Sequence, residues 1–124
     1  MERSEYAALI AELRAGIKKR QRLKKQAFAR RKEQAREKAR QAADLIRSRG
    51  GRRVFLFGSL ARGKSFWEHS DIDLAVSGLP REVNFWQLYA DVLARVEPFQ
   101  ADLVILEEAS AEFRQRILWE GMEL

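Results

Sequence analysis

The chain has 124 residues with no cysteine and a single histidine, which excludes disulfides, thiol chemistry and a Cys/His zinc centre. Its hydrophobic fraction of 46% suffices for one core, the start lacks the apolar segment of a signal peptide, and no apolar run reaches the ~18 residues of a membrane span, so a cytoplasmic protein without membrane contact is expected. The net charge of +6 is unevenly spread: residues 14–53 carry 17 Lys/Arg against three acids, a balance of +14, and the remainder has a balance of −8.

Residues 4–48 read as helix, with Tyr6, Ile10, Leu13 and Ile17 at three- and four-residue steps and good helix formers throughout. Gly16 is a candidate kink, and the stretch from Lys18 to Arg40 is too polar for a core helix. Such a basic stripe can bind nucleic acid, or it can be a solvated or partner-binding face. Arg49-Gly50-Gly51 stops the helix. Arg52–Phe57 and Asp71–Val76 read as strands. Residues 81–96 form an amphipathic helix, with Val83, Trp86, Leu88, Tyr89, Val92, Leu93 and Val96 inward. Ala101–Leu106 is a third strand, and Ser110 caps a final helix through about Glu120. Trp86 and Trp119 are most simply core. The expected organisation is a basic helical arm over residues 1–49 and a mixed α/β body over 50–124.

Chemistry gathers between Val54 and Val76. Asp71 and Asp73, one residue apart on a strand, project from one face. Two like charges that close call for a cation between them, and a hard ion such as Mg²⁺ suits carboxylates and phosphates. Gly58 to Ser65, G-S-L-A-R-G-K-S, satisfies the P-loop pattern letter for letter. However, Phe66 to Ser70 leaves five residues before Asp71, too few for a phosphate-binding helix and its return crossover, which take about ten or more.

The remaining reading joins Gly58, Ser59 and the aspartates. Gly58 lets the backbone turn close to a phosphate. Ser59 offers a hydroxyl and an N–H at the start of a short helical turn. Asp102, opening the next strand, supplies a third carboxylate. Three acids with two divalent ions are the parts for in-line nucleotidyl transfer, and Asp102 can also take the acceptor's proton. Arg62 can clamp a phosphate or pair with the acidic body. Lys64 reads as a loop lysine, His69 as a surface or substrate-facing histidine, and Phe66 and Trp67 as packing or base-stacking rings.

Taken together, F-G-S-L-A-R-G, then S-D-I-D-L-A-V, then D-L-V resembles the minimal nucleotidyltransferases of the DNA polymerase beta superfamily. Eleven residues separate Ser59 from Asp71, one more than the commonest form of that signature. The resemblance spans about residues 44–124 and implies an α+β fold, a small mixed sheet flanked by helices, behind the long N-terminal helical arm. It implies that Gly58 and Ser59 hold a nucleoside triphosphate, to which Arg62 is added from its position beside them, and that Asp71, Asp73 and Asp102 bind Mg²⁺. It further implies an antitoxin-like protein that transfers AMP from ATP onto a tyrosine of a HEPN-domain toxin. Two other classes stand beside this enzyme: a catalytically silent antitoxin, and a nucleic-acid-binding protein acting through the basic helix. The sequence leaves the oligomeric state open.

Overall fold

The computed structural model of the chain describes residues 2–63 and 71–124, so Lys64, Ser65, Phe66, Trp67 and His69 lie outside the described residues. Helix α1 runs from Arg3 to Ser48, unbroken at Gly16. Gly50, at φ 103°, then takes the left-handed conformation that ends it. The chain divides between Arg31 and Lys32 into two compact units.

In the first unit, Tyr6, Leu9, Leu13, Ile17 and Leu23 stand exposed along α1. In the second, the end of α1 is a core element. Ala35, Ala39, Ala42, Ala43 and Ile46 are fully buried. Alanines there let the helix backbone come close to the sheet, and the same small side chains explain why the apolar stripe looks thin in the sequence. Ala39→Leu would force extra methylenes into this contact, and a denaturant titration should show a loss of about 1–3 kcal/mol.

The sheet has the order β3-β2-β1-β4, where β1 is Arg53–Phe57, β2 Ile72–Ser77, β3 Ala101–Ile105 and β4 Met122–Glu123. β1 is antiparallel to β2 and to β4, while β2 is parallel to β3, so the sheet is mixed as expected. The antiparallel return from β1 to β2 is incompatible with a P-loop, whose strand must lead through a crossover to a parallel neighbour. Between them lies α2, a single turn over Gly58–Ala61. Helix α3 spans Phe85–Val96, with Asn84 accepting a hydrogen bond from the Gln87 N–H as its cap. A 3-10 turn, Leu106–Glu108, follows β3 and leads into α4, Ala111–Glu120. Ser110 caps α4 as expected, accepting from the Phe113 N–H.

Alternation along the strands gives the sheet two faces. Val54, Leu56, Ile72, Leu74, Val76 and Leu103 join the α1 alanines and Leu88, Val92 and Val96 of α3 in the larger core cluster. The opposite face carries a smaller cluster of Phe55, Ala75, Leu106 and Ile117, with Phe57 against it. Two expectations fail here. Trp86 and Trp119 are 75% and 89% exposed. In α3 the buried residues are Leu88, Val92 and Val96, a spacing that turns Trp86 outward, and α4 buries only Ile117. β4 was not expected at all. Its two residues are exposed and its pairing with Phe55 and Leu56 is long-range, so no local pattern announces it. Among the described residues no helix is long and apolar enough to cross a membrane.

Candidate functional site

The smaller core leaves part of its face of the sheet open, and the candidate residues collect there. Asp73 sits on β2 directly across from Phe57 of β1, and beside Asp102 of β3. Since paired residues share a face, Asp73 and Asp102 lie next to each other on the side that α4 covers only in part. Asp102 is exposed and Asp73 half-buried. Asp71 falls one residue before β2, not within it, and is exposed.

The Gly-Ser turn closes over this pair. Gly58 has φ 75°, a left-handed conformation, and a Cβ at this position would fall onto the Asp73 carboxylate. Only glycine lets the turn come this close. Leu60 anchors the turn in the larger core, leaving Ser59 half-buried beside it. Arg62, at the end of α2, has its Nη1 3.6 Å from Oε2 of Glu120 on α4. Of the two roles the sequence leaves open for Arg62, the ion pair is therefore present, and its positive charge is also felt at Asp73.

Charge crowding marks the centre of the site. Asp73 has its carboxyl pushed up to about 6, chiefly by burial, then by the negative charges of Asp102 and Asp71, with Arg62 opposing. A group in that position gains from a neighbouring cation. Among the described residues no three acidic or imidazole side chains form a closed ligand set. What exists is an open, all-oxygen pair, Asp73 and Asp102, with Asp71 nearby. That donor set fits Mg²⁺, which commonly takes one or two carboxylates and fills its other positions with water and substrate phosphates.

One further residue reaches the site that sequence reasoning placed only in the apolar stripe of α3. The Tyr89 hydroxyl lies 3.0 Å from the Ala101 carbonyl oxygen and 3.1 Å from Asp102 Oδ1, so its single hydrogen is offered to two acceptors. Burial, then the hydrogen bond and charge of Asp102, raise the pKa of the phenol and keep it protonated as a donor. Tyr89 thereby restrains the Asp102 carboxylate without occupying Oδ2. The signal was available: a tyrosine rather than a phenylalanine on a core stripe needs a partner for its hydroxyl. Tyr89→Phe keeps the ring and removes the restraint. Mg²⁺ binding at the site should weaken about 10-fold, as expected for one hydrogen bond to a charged group. Loss of thermal stability without a change in Mg²⁺ dependence would make Tyr89 merely structural.

Comparison with known proteins gives the family of the chain. Residues 35–124 match the family model described as polymerase beta, nucleotidyltransferase. A structure described as a minimal nucleotidyltransferase is 26% identical, with a TM-score of 0.64, and the match covers 75% of this chain and 95% of that one. A mutant form of the toxin–antitoxin MntA-HpeT is 30% identical with a TM-score of 0.54, over 65% of this chain and 66% of that chain, just under two thirds of its length. A toxin–antitoxin with AMP-PNP is 28% identical with a TM-score of 0.56, over 64% and 66% respectively. No curated protein is significantly similar in sequence. The matched region begins at residue 35, where the buried alanines of α1 begin, and so includes helix that the sequence alone assigned to the arm.

Proposed function

The chain belongs to the polymerase beta nucleotidyltransferase family, among its minimal members, and we propose that it transfers AMP from ATP to a hydroxyl group of a protein partner, with Mg²⁺. The observation that carries this reading is the Asp73–Asp102 pair, side by side on adjacent strands beneath the turn at Gly58. The similar toxin–antitoxin with AMP-PNP supports an adenine nucleotide as donor, and the likeness to the toxin–antitoxin MntA-HpeT supports a toxin as the acceptor, which the sequence resemblance places in the HEPN class.

In this mechanism Gly58 and Ser59 receive the triphosphate through backbone and hydroxyl, and Arg62 turns from Glu120 to a phosphate oxygen. Asp71, Asp73 and Asp102 would hold Mg²⁺, with two ions the expected number. Bound there, the metal supplies Lewis-acid neutralisation of the phosphates and lowers the pKa of a hydroxyl beside it. The acceptor oxygen attacks the α-phosphorus, its bond to pyrophosphate breaks, and Asp102 takes the hydroxyl proton while Tyr89 holds the carboxylate in place. The exposed site has no enclosing second domain among the described residues, which suits an acceptor carried on another chain.

Incubation with ATP labelled at the α-phosphate, Mg²⁺ and the protein encoded beside this chain tests the reading. Label on the partner is expected with the native chain. A partner that binds tightly yet stays unlabelled with all four nucleoside triphosphates would sink the transferase and leave a contact antitoxin. Binding to nucleic acid that disappears at high salt would instead assign the function to the basic helix.

A further inference from the structure

Beside the Gly58 turn, on the same face of the sheet as Asp73, the end of β1 and helix α4 enclose a recess of about 170 Å³. Phe57 and Phe113 meet in its wall edge to face, with ring centroids 5.7 Å apart at 88°. Gly58 and Arg62 border it on the side toward Asp73, and Arg116 and Glu120 on the side of α4. The two guanidinium groups converge on one carboxylate: Arg62 Nη1 and Arg116 Nε each lie 3.6 Å from Glu120 Oε2. At that distance, and with all three side chains partly exposed, the pairs hold weakly, so a more highly charged anion can take the arginines from Glu120.

The combination is selective in kind. Pockets that enclose a whole ligand commonly run about 300–1,000 Å³, so this recess houses only part of one. Its walls offer aromatic rings to a flat apolar group and cations to an anionic tail. A tyrosine or serine acceptor brings no anion for Arg62 to engage, whereas a nucleotide brings both an anionic tail and a flat ring. Resting on the nucleotidyltransferase reading, we infer that the recess between β1 and α4 receives the base of the nucleoside triphosphate. Phe113 and Phe57 pack against the base, Arg116 covers it from α4, and Arg62 passes from Glu120 to the phosphates at the Gly58 turn. Phe113, Arg116 and Glu120 then become specificity residues contributed by the last helix, outside the Gly-Ser and Asp-x-Asp signature.

The test compares ATP with inorganic tripolyphosphate, both with Mg²⁺, in calorimetric titrations of the full chain. The native protein should bind ATP at least 10-fold more tightly than tripolyphosphate. Phe113→Ala should weaken ATP about 10-fold, within the range of lost base–aromatic stacking, and leave tripolyphosphate unchanged. Arg116→Gln, at an exposed position, should weaken ATP about 5-fold and serves if the first variant fails to fold. Unchanged ATP affinity in a folded Phe113 variant, or in the Arg116 variant, overturns the placement of the base, as does an equal loss for both ligands. If the native chain binds tripolyphosphate and ATP equally, the base lies elsewhere and the transferase reading survives. If it binds no nucleoside triphosphate, both fall.

Discussion

Asp73→Asn is expected to abolish transfer while making the metal-free protein more stable. The two effects share one cause. Asp73 is half-buried, directly beside Asp102, with Asp71 near and only Arg62 in opposition. Its carboxyl is raised from 3.8 to about 6, so the folded chain resists the charged form. The sign follows from proton linkage: between pH 4 and 6 the folded state binds more protons than the unfolded one, and stability falls as pH rises through that window. Above it the full cost of a crowded carboxylate is present, reduced by solvent because the group is only partly buried. Asparagine keeps the shape and removes the charge. Without metal at pH 7.5, the variant should melt a few degrees higher than the native chain, and the difference should shrink toward pH 4. Added Mg²⁺ should raise the melting temperature of the native chain and leave the variant unmoved. Transfer should drop about 10³-fold or more, since an interaction that stabilises charge in the transition state is lost. A variant that transfers normally would remove Asp73 from the chemistry. One that is dead but no more stable would show that like-charge crowding does not govern the site.

Much of this site is visible in the sequence because its parts are local. Gly58, Ser59, Asp71 and Asp73 lie on two adjoining strands and the connection between them, and the period of two fixes which residues share a face. Asp102 is less local, yet the run A-D-L-V-I-L marks a strand, and an aspartate at its start has few places to go beside β2. What the sequence conceals depends on long-range packing. The α1 alanines look too small to be core, but they are buried because small side chains let a helix lie close to a sheet. The tryptophans look like core because of their size, yet their helices turn them outward. Phe113 and Arg116 enter the site because α4, between β3 and β4, lies against Phe57 of β1, a contact between distant segments. Tyr89 lies between these cases: its position on the stripe is legible, its hydroxyl's partner is not.

Gly58→Ala should damage transfer far more than the same change at a second left-handed glycine, Gly63, and the difference between the two sites shows why. Gly58 and Gly63 both adopt left-handed conformations, at φ 75° and 67°. An L-residue forced into that region costs about 1–2 kcal/mol, so both alanine variants should lose roughly that much stability in denaturant titrations. Their surroundings differ. Around Gly63 the nearest atom to a new Cβ among the described residues would be Arg36 Nη2 at 4.0 Å, an ordinary contact with the end of a flexible chain. Around Gly58 the new Cβ would collide with a carboxylate oxygen of Asp73 and approach its Cγ to 3.1 Å. Relief requires either the turn or the carboxylate to move, and both belong to the same proposed site. Misplacement by about 1 Å can cost about 10²-fold in rate, so transfer by Gly58→Ala should fall at least that far while Gly63→Ala stays within a few-fold of native. Measuring the two side by side separates backbone strain, which they share, from the approach of the turn to Asp73, which only Gly58 permits. Equal activity losses would mean that strain alone explains the requirement for glycine, and the turn would then have no special relation to the aspartate beneath it.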